Sequence, residues 1–575
     1  MSGPVTARPA ICLNMIVRNE AHIVAEVLDS VAPYISYWVI VDTGSDDGTQ
    51  AVIRDHLAAL GIRGELHERP WRNFGHNRSE ALTLAQGHGD YIWVIDADDV
   101  VVGSPDFTGL DADIYFMRIG ESSFTYWRPQ LFRDGLPVRY LGVVHEFVRC
   151  EVAHTEGRLA GDYCIDSRRL GARSRDTDKY ARDRDLLLAE VQRDPADARS
   201  VFYLAQSYFD LGDFAQARTW YQRRIELGGW AEEVYYSMTR VAESMARMGA
   251  PWPDVQDAYL RAWAFRPTRA ESLYAIAHHY RVEQSYQLGY LFAEQTARIP
   301  LPEDDRLFVN ADVYVWRAAD EQAVCAFWIG KHAEAFTLCR ELLAHTEIPD
   351  HERQRIAGNR DFSVPAMIEA ASSYPQTVVA GLAAGARSAD AEVTVTLIAG
   401  TDRATAEATL NSFLHCCTDI GRVGRFLAFD TGLCSDDRKI LRQRYGFVEF
   451  VGVESDAPLG QLRSHVHGRL WLHLGQGWRF FAPEDYITRL TAVLDAEPDV
   501  FEVGINFEDA TTLTGATATE QSTRRAADAG RYVLTDAPFV GPAMFDTARF
   551  DRAGTDGLNT ASLDEVLCIA AGQQE

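Results

Sequence analysis

Tyr91-Ile92-Trp93-Val94-Ile95-Asp96-Ala97-Asp98-Asp99 decides the fold of the first part of this chain. A buried apolar strand delivers two carboxylates, Asp96 and Asp98, one residue apart at its C-terminal end. Ligands gather at that end of the strands in open α/β sheets. If the chain stays extended, alternation puts both acids on one face. They repel each other there unless a cation sits between them, and no Lys or Arg lies within several residues. A hard divalent ion, Mn²⁺ or Mg²⁺, suits carboxylate ligands and can bridge to diphosphate oxygens.

The flanking sequence has the same rhythm. Ile11–Val17 and Trp38–Asp42 read as strands, with an amphipathic helix over Glu20–Ala32 between them. Alternating strands and helices predict a mostly parallel sheet over residues 10–165. Asp42 ends its strand and opens Thr43-Gly44-Ser45-Asp46-Asp47-Gly48-Thr49, a polar turn into a helix. A carboxylate at that strand end can accept hydrogen bonds from a base or ribose, and Asp47 or Thr49 can cap the helix. Arg18-Asn19-Glu20 follows the first strand. Trp71-Arg72-Asn73-Phe74-Gly75-His76-Asn77-Arg78-Ser79 places Arg78 on a helix just upstream of the acidic strand, where it could meet a phosphate or a base.

As an ordered set these segments resemble the family 2 glycosyltransferases of the GT-A (Rossmann-like) fold. The resemblance rests on Arg18-Asn19-Glu20, Asp42-Thr43-Gly44-Ser45-Asp46-Asp47-Gly48-Thr49 and Asp96-Ala97-Asp98. It implies that Asn19, Glu20, Asp42, Asp47, Arg78 and Asp96 contact a nucleotide-sugar donor, a UDP-sugar first. It implies that Asp98 holds a metal ion on the diphosphate, with Asp96 assisting. Asn77-Arg78 fits a branch with fused tetratricopeptide (TPR) repeats that modifies peptides or proteins. Downstream, the pair His145-Glu146 resembles part of such an active site. An inverting transfer needs a carboxylate to take the acceptor proton. Glu146 is the first choice, Asp99 the alternative, and His145 a further metal or diphosphate ligand.

Residues 171–349 read as helices with small residues at repeated positions. Phe202-Tyr203-Leu204-Ala205-Gln206-Ser207-Tyr208, then Gly212-Asp213-Phe214-Ala215-Gln216-Ala217 and Tyr221, match the offsets of a TPR-like hairpin. Ile276-Ala277 with Tyr280, and Gly330–Ala335, echo it. Stacked hairpins form a groove suited to an extended acceptor, so a peptide or protein is expected there. Residues 350–391 read as a connector. Residues 392–575 return to the α/β rhythm as a degenerate GT-A-like copy. Phe429-Asp430-Thr431-Gly432 echoes Val41-Asp42-Thr43-Gly44, and Gly475-Gln476-Gly477 stands where the acids stood. That loop can hold no divalent ion. The catalytic unit is therefore expected within residues 1–170.

The chain has 575 residues, too many for one core, and a formal net charge of −27. That balance repels nucleic acid, because non-specific binding there relies on clustered Lys and Arg. Nine scattered Cys form no C-x-x-C pair, which fits reduced thiols in a cytoplasm. Met1–Ala10 lacks the apolar stretch of a secretory signal, and no window is long and apolar enough to span a membrane. A homodimer is left open. Two other functions compete with glycosyl transfer. A non-enzymatic TPR scaffold would need no adjacent carboxylates at a strand end. A nucleotidyltransferase would want a Gly-rich basic loop, and Ile11–Glu20 contains no Gly.

Overall fold

The computed structural model describes residues 8–121, 124–168, 170, 179–345, 347–388, 391–454, 459–506, 523–535, 541–553, 559–566 and 568–570. Residues 1–7, most of the stretch read above for a leader, lie outside them. The chain divides into two compact units, Met1–Ala318 and Ala319–Glu575.

The first unit opens with β1 (Ile11–Val17), α1 (Val24–Val31), β2 (Tyr37–Asp42), α2 (Thr49–Ala59), β3 (Gly64–Glu68), α3 (Phe74–Ala85) and β4 (Tyr91–Val94). Strands β5 (Asp99–Asp106), β6 (Ile114–Glu121), β7 (Phe124–Arg133), β8 (Val138–Leu141), β9 (Phe147–Cys150), β10 (Glu156–Arg158) and β11 (Ala160–Ser167) follow. The main sheet runs β3-β2-β1-β4-β7-β6-β11-β5, with β10 beside β6. It is continuously parallel across β3-β2-β1-β4, and β6 also pairs in parallel with β10 and β11. From β7 onward it is mixed, so the mostly parallel sheet expected over residues 10–165 holds for half of its width. Strand β1 is buried on both faces, as a central parallel strand must be. Its one polar residue, Asn14, is 1% exposed and donates to the carbonyls of Val39 and Ala81, both at 3.0 Å. A buried amide left unpaired there would cost about 1–3 kcal/mol.

Helices α4 (Lys179–Arg193), α5 (Ala198–Asp210), α6 (Phe214–Leu227), α7 (Ala231–Arg247), α8 (Trp252–Phe265), α9 (Glu271–Val282) and α10 (Tyr286–Ala297) complete the unit, each packed on the next. The expected hairpin motif falls on α5 and α6. Phe202, Leu204, Ala205, Ala217 and Tyr221 fill their interface. Gly212 turns the chain at φ +77°, and Asp213 caps α6 by accepting from the Gln216 amide.

The second unit contains α11 (Ala318–Trp328) and α12 (His332–Leu343), then α13 (Asp350–Phe362), α14 (Val364–Ser372) and α15 (Gln376–Ala383). The stretch read as a connector, residues 350–391, is thus helical over most of its length. Val364, Met367, Ile368, Val379 and Leu382 bury into the core of the following α/β fold. Proline at 349, 365 and 375 suggested a link, yet Pro365 lies in the first turn of α14, where the missing N–H costs nothing.

The second sheet contains β12 (Val393–Gly400), β13 (Val423–Asp430), β14 (Val448–Gly452) and β15 (Leu470–Leu474). It runs β14-β13-β12-β15, with all pairs parallel, and next the antiparallel strand Ala543–Asp546. This repeats the order β3-β2-β1-β4-β7 of the first unit. His473 on β15 is buried, its Nδ1 2.8 Å from Thr396 Oγ1, and that hydroxyl also accepts from Trp471 Nε1 at 2.7 Å.

Burial lowers His473 to about 4, against an ordinary value of 6.5. Between those values the unfolded chain binds the proton and the folded one does not. Stability is therefore expected to fall as pH drops from 6.5 towards 4, by up to ~3 kcal/mol. Urea unfolding at pH 6.5, 5.5 and 4.5 checks this. His473→Gln should flatten the slope in that window, whatever it does to absolute stability, and an unchanged slope would show that another group is responsible.

Candidate functional site

The first two loops of the sheet are laced together before any ligand is considered. The Asn19 amide donates to Ser45 Oγ at 2.9 Å, and Asn19 Oδ1 accepts from the Asp46 amide at 2.9 Å. Asn19 sits at φ +58°, a conformation Asn tolerates better than most residues. The Glu20 amide donates to Thr49 Oγ1, and the Ala21 amide to Asp47 Oδ2. Burial disfavours the Asp47 charge. Hydrogen bonds from the Thr49 hydroxyl and from the Ala21 and Thr49 amides outweigh that and hold its carboxyl below the usual range. Asn19 and Asp47, both expected at the donor, thus shape the loop that would cradle it.

Asp42 is 1% exposed. Its Oδ1 closes the turn by accepting from the Gly44 and Ser45 amides, both at 2.9 Å, and from Gln50 Nε2 at 3.1 Å. Its Oδ2 is buried with no hydrogen-bond partner among the described residues. Asp430, its counterpart in the second unit, closes the same turn through Gly432 and Leu433. There Arg438 takes the other oxygen.

The acidic strand, expected over Tyr91–Asp96, ends two residues earlier. Strand β4 stops at Val94, and Asp96 and Asp98 lie in the turn between β4 and β5. Both Asp96 oxygens meet guanidiniums. Arg78, on α3, donates through Nη2 to Asp96 Oδ1, and Arg128, on β7, donates to Asp96 Oδ2 at 3.2 Å. Arg78 Nε also reaches Glu146 Oε1 at 2.5 Å, and Arg128 reaches Asp99 Oδ2 at 3.1 Å. The result is an alternating row: Glu146, Arg78, Asp96, Arg128, Asp99. Desolvation opposes the Asp96 charge, but the two guanidiniums overcome it and hold the carboxyl well below the usual range. For Asp99, burial and then the Asp96 charge raise it to about 7. Three carboxyl groups share two guanidiniums, and the upward shift of Asp99 eases the excess of negative charge in the row.

The row corrects the view that no cation lies near the acids. Arg78 and Arg128 are distant in sequence and adjacent in space. Nothing local marks Arg128, because only the antiparallel pairing of β7 with β4 delivers it to the strand end.

Glu146 is held from two directions. The Phe74 and Gly75 amides at the start of α3 donate to the Val143 and Gly142 carbonyls at 3.2 and 3.1 Å. Gly75 permits this approach, since a Cβ there would lie 2.5 Å from the Gly142 oxygen. On the other side Val144 is buried in the helical core. The His145 ring stacks on Tyr203 of α5 at 3.9 Å between centroids, and Arg199 donates to the His145 carbonyl. His145, expected as a metal or diphosphate ligand, thus meets an aromatic ring and takes φ +51°. Among the described residues no group of three or more His, Cys, Asp and Glu is arranged to hold a metal ion.

Above the ends of β1 and β4 lies a cleft of about 580 Å³. Arg18, Asn19, Glu20, Thr43, Arg78, Asp96 and Asp98 line it from the sheet side, with Trp71 and Phe74 as an apolar wall. The volume lies in the range of small-ligand sites. Asp98 faces the cleft, whereas the Asp99 side chain is fully buried.

Residues 12–104 match the family model Glycosyl transferase family 2. A TPR repeat-containing protein of Synechococcus elongatus is 34% identical over 100 residues, 17% of this chain and 23% of that protein. The chain thus spans about a quarter of the curated relative it matches. MamA resembles 30% of the chain over 92% of its own length, at 17% identity and a TM-score of 0.24. GalNAc-T7 solved with UDP, GalNAc and Mn²⁺ resembles 31% of the chain over 43% of its own, at 9% identity and a TM-score of 0.25. The chain joins a family 2 glycosyltransferase domain to TPR-like repeats.

Removing Arg78 leaves Glu146 partly buried without this partner and Asp96 with Arg128 alone, and breaking a buried pair by removing one partner typically costs about 3–5 kcal/mol. Arg78→Met is expected to speed hydrogen exchange at Ile92–Val94, and adding Asp96→Asn should restore much of the protection. Equal exchange in the single and double variants would show that packing rather than charge holds the strand end.

Proposed function

We propose that the first unit transfers a glycosyl group from a nucleoside-diphosphate sugar, with inversion, to an acceptor hydroxyl or amide. The observation that carries the reading is the pairing of the cleft with an unpartnered acceptor beside it. Thr43, the residue after Asp42, lines the cleft, and Asp42 Oδ2 is a buried oxygen with no donor among the described residues. A base N–H or a ribose hydroxyl supplies such a donor. In the second unit Arg438 already fills the equivalent position. The carboxylates of the cleft do not suit a purely apolar ligand, and a scaffold would gain nothing from burying them.

A divalent ion, Mn²⁺ or Mg²⁺, fits this site in one way only. Asp96 has both oxygens on guanidiniums, so Asp98 is the carboxylate that would hold the ion, with diphosphate oxygens completing its shell. Such ions commonly take one or two protein carboxylates and the rest from phosphate and water. When bound, the ion would stabilise the charge on the leaving diphosphate. Glu146 takes the acceptor proton in this reading, and Arg78 fixes its position. Asp99 is the weaker base, because its side chain does not open to the cleft. The helical hairpins would lay an extended acceptor, a polypeptide first, towards the cleft. No helix among the described residues is long and apolar enough to cross a membrane, and the described cysteines are unpaired, which suits a reducing compartment such as the cytoplasm.

Asp98→Ala is expected to abolish the Mn²⁺-dependent part of UDP binding in calorimetry. Identical affinity with and without Mn²⁺ in the wild type would remove the ion from the scheme. Glu146→Gln should leave donor binding intact and slow transfer by about 10²- to 10⁴-fold, the usual worth of a general base. Mass spectrometry of a peptide acceptor pool after incubation with a panel of UDP- and GDP-sugars supplies the readout.

A further inference from the structure

The family match ends at residue 104, yet the cleft does not. Its remaining wall is Lys179, Arg182, Asp183 and Leu186, all from α4, the first helix of the helical region. These positions are i, i+3, i+4 and i+7, the spacing of one face of an α-helix. Leu187 and Val191, on another face of the same helix, bury in the helical core. The helix is therefore anchored on one face and turns a charged face into the cleft.

A nucleoside diphosphate carries two or three negative charges, and this protein has a net charge of −27. Desolvating such a ligand needs local positive charge. The sheet side offers little. Arg78 is committed to Asp96 and Glu146, leaving Arg18 against Asp98 and Glu20. Lys179 and Arg182 against the single acid Asp183 make the α4 side the net positive wall of the cleft, and a bound divalent ion would add to it. Resting on the reading above, we infer that Lys179 and Arg182 bind the donor's diphosphate, so that the helical region forms part of the donor site itself rather than serving the acceptor alone.

The test uses the full chain and the pair Lys179→Met, Arg182→Gln, with Lys179→Arg, Arg182→Lys as the conservative control. Probes are UDP, GDP, CDP, dTDP and ADP, the matching monophosphates, and inorganic pyrophosphate, titrated with Mn²⁺ present. The expected result is that the neutral double variant binds the preferred diphosphate at least tenfold more weakly and binds its monophosphate within threefold of wild type. The slope of log affinity against log salt should also shrink, and the control should restore most of the preference for diphosphate over monophosphate. A merely structural defect would lower both affinities together and count against the inference. Equal diphosphate binding by wild type and the neutral variant would overturn the role of α4 while leaving the donor reading in place. Pyrophosphate binding that depends on the pair, with no nucleotide bound by the wild type, would keep the anion site and overturn the donor reading. A wild type that binds none of the probes would overturn both.

Discussion

The first unit depends on one guanidinium buried between two carboxylates. Arg78 leaves α3 to reach Asp96 at the end of β4 and Glu146 in the loop after β8. Without it, two acids on separate elements would face each other in a poorly solvated place. Arg suits this position because its planar fork can serve two carboxylates at once, which the single ammonium of Lys cannot do in a fixed geometry. A buried charge row is not in itself a source of stability, since desolvation consumes much of the Coulomb gain. What the row provides is registry: three chain segments cannot slide without separating opposite charges. That is a property a catalytic site needs and an apolar core does not supply.

Much of this was legible because it is written locally. Apolar runs of five to seven residues identified β1, β2 and β4, and the polar turn after Asp42 identified the loop that clasps Asn19. Arg78 was found through its motif, but its partners were not. The sequence offers a phosphate or a base for Arg78, while the fold gives it Asp96 and Glu146. Arg128 and the α4 face were missed for a single reason. Each is brought in by long-range packing, an antiparallel strand pair in one case and a helix docked from beyond residue 170 in the other. For His145 the sequence offers ligand chemistry, and the fold adds a stacking partner in Tyr203 that the sequence does not announce. The connector was misjudged because proline at the first turn of a helix looks, in sequence, the same as proline in a link.

The two sheets show which part of the pattern belongs to the fold and which to the site. Both order their strands 3-2-1-4 with an antiparallel neighbour, and both close an aspartate turn with the two amides that follow. Those features are common to both units and belong to folding. The differences lie at the strand ends. In the second unit Arg438 occupies the spare oxygen of Asp430, and the Trp478 ring packs so close to Gly475 that a Cβ there would lie 2.6 Å from it. The Gln476 amide similarly covers Gly400. In the second unit side chains of the chain itself therefore lie over these strand ends.

The α/β part of the first unit and the helices that follow it share a packed boundary. Val144, two residues before Glu146, packs in the core of the helical region, and Arg199 and Tyr203 of α5 hold the residue between them. The loop carrying Glu146 is thus bounded by α3 through backbone hydrogen bonds and by α5 through packing and stacking. Either contact alone would leave a loop with two residues at positive φ, Gly142 and His145, free to relax. Held from both sides, it keeps Glu146 within hydrogen-bond reach of Arg78, and Arg78 keeps Asp96. The order of the sheet's active end is in this way inherited from the helices. Any shift of α5 would therefore be felt at Glu146.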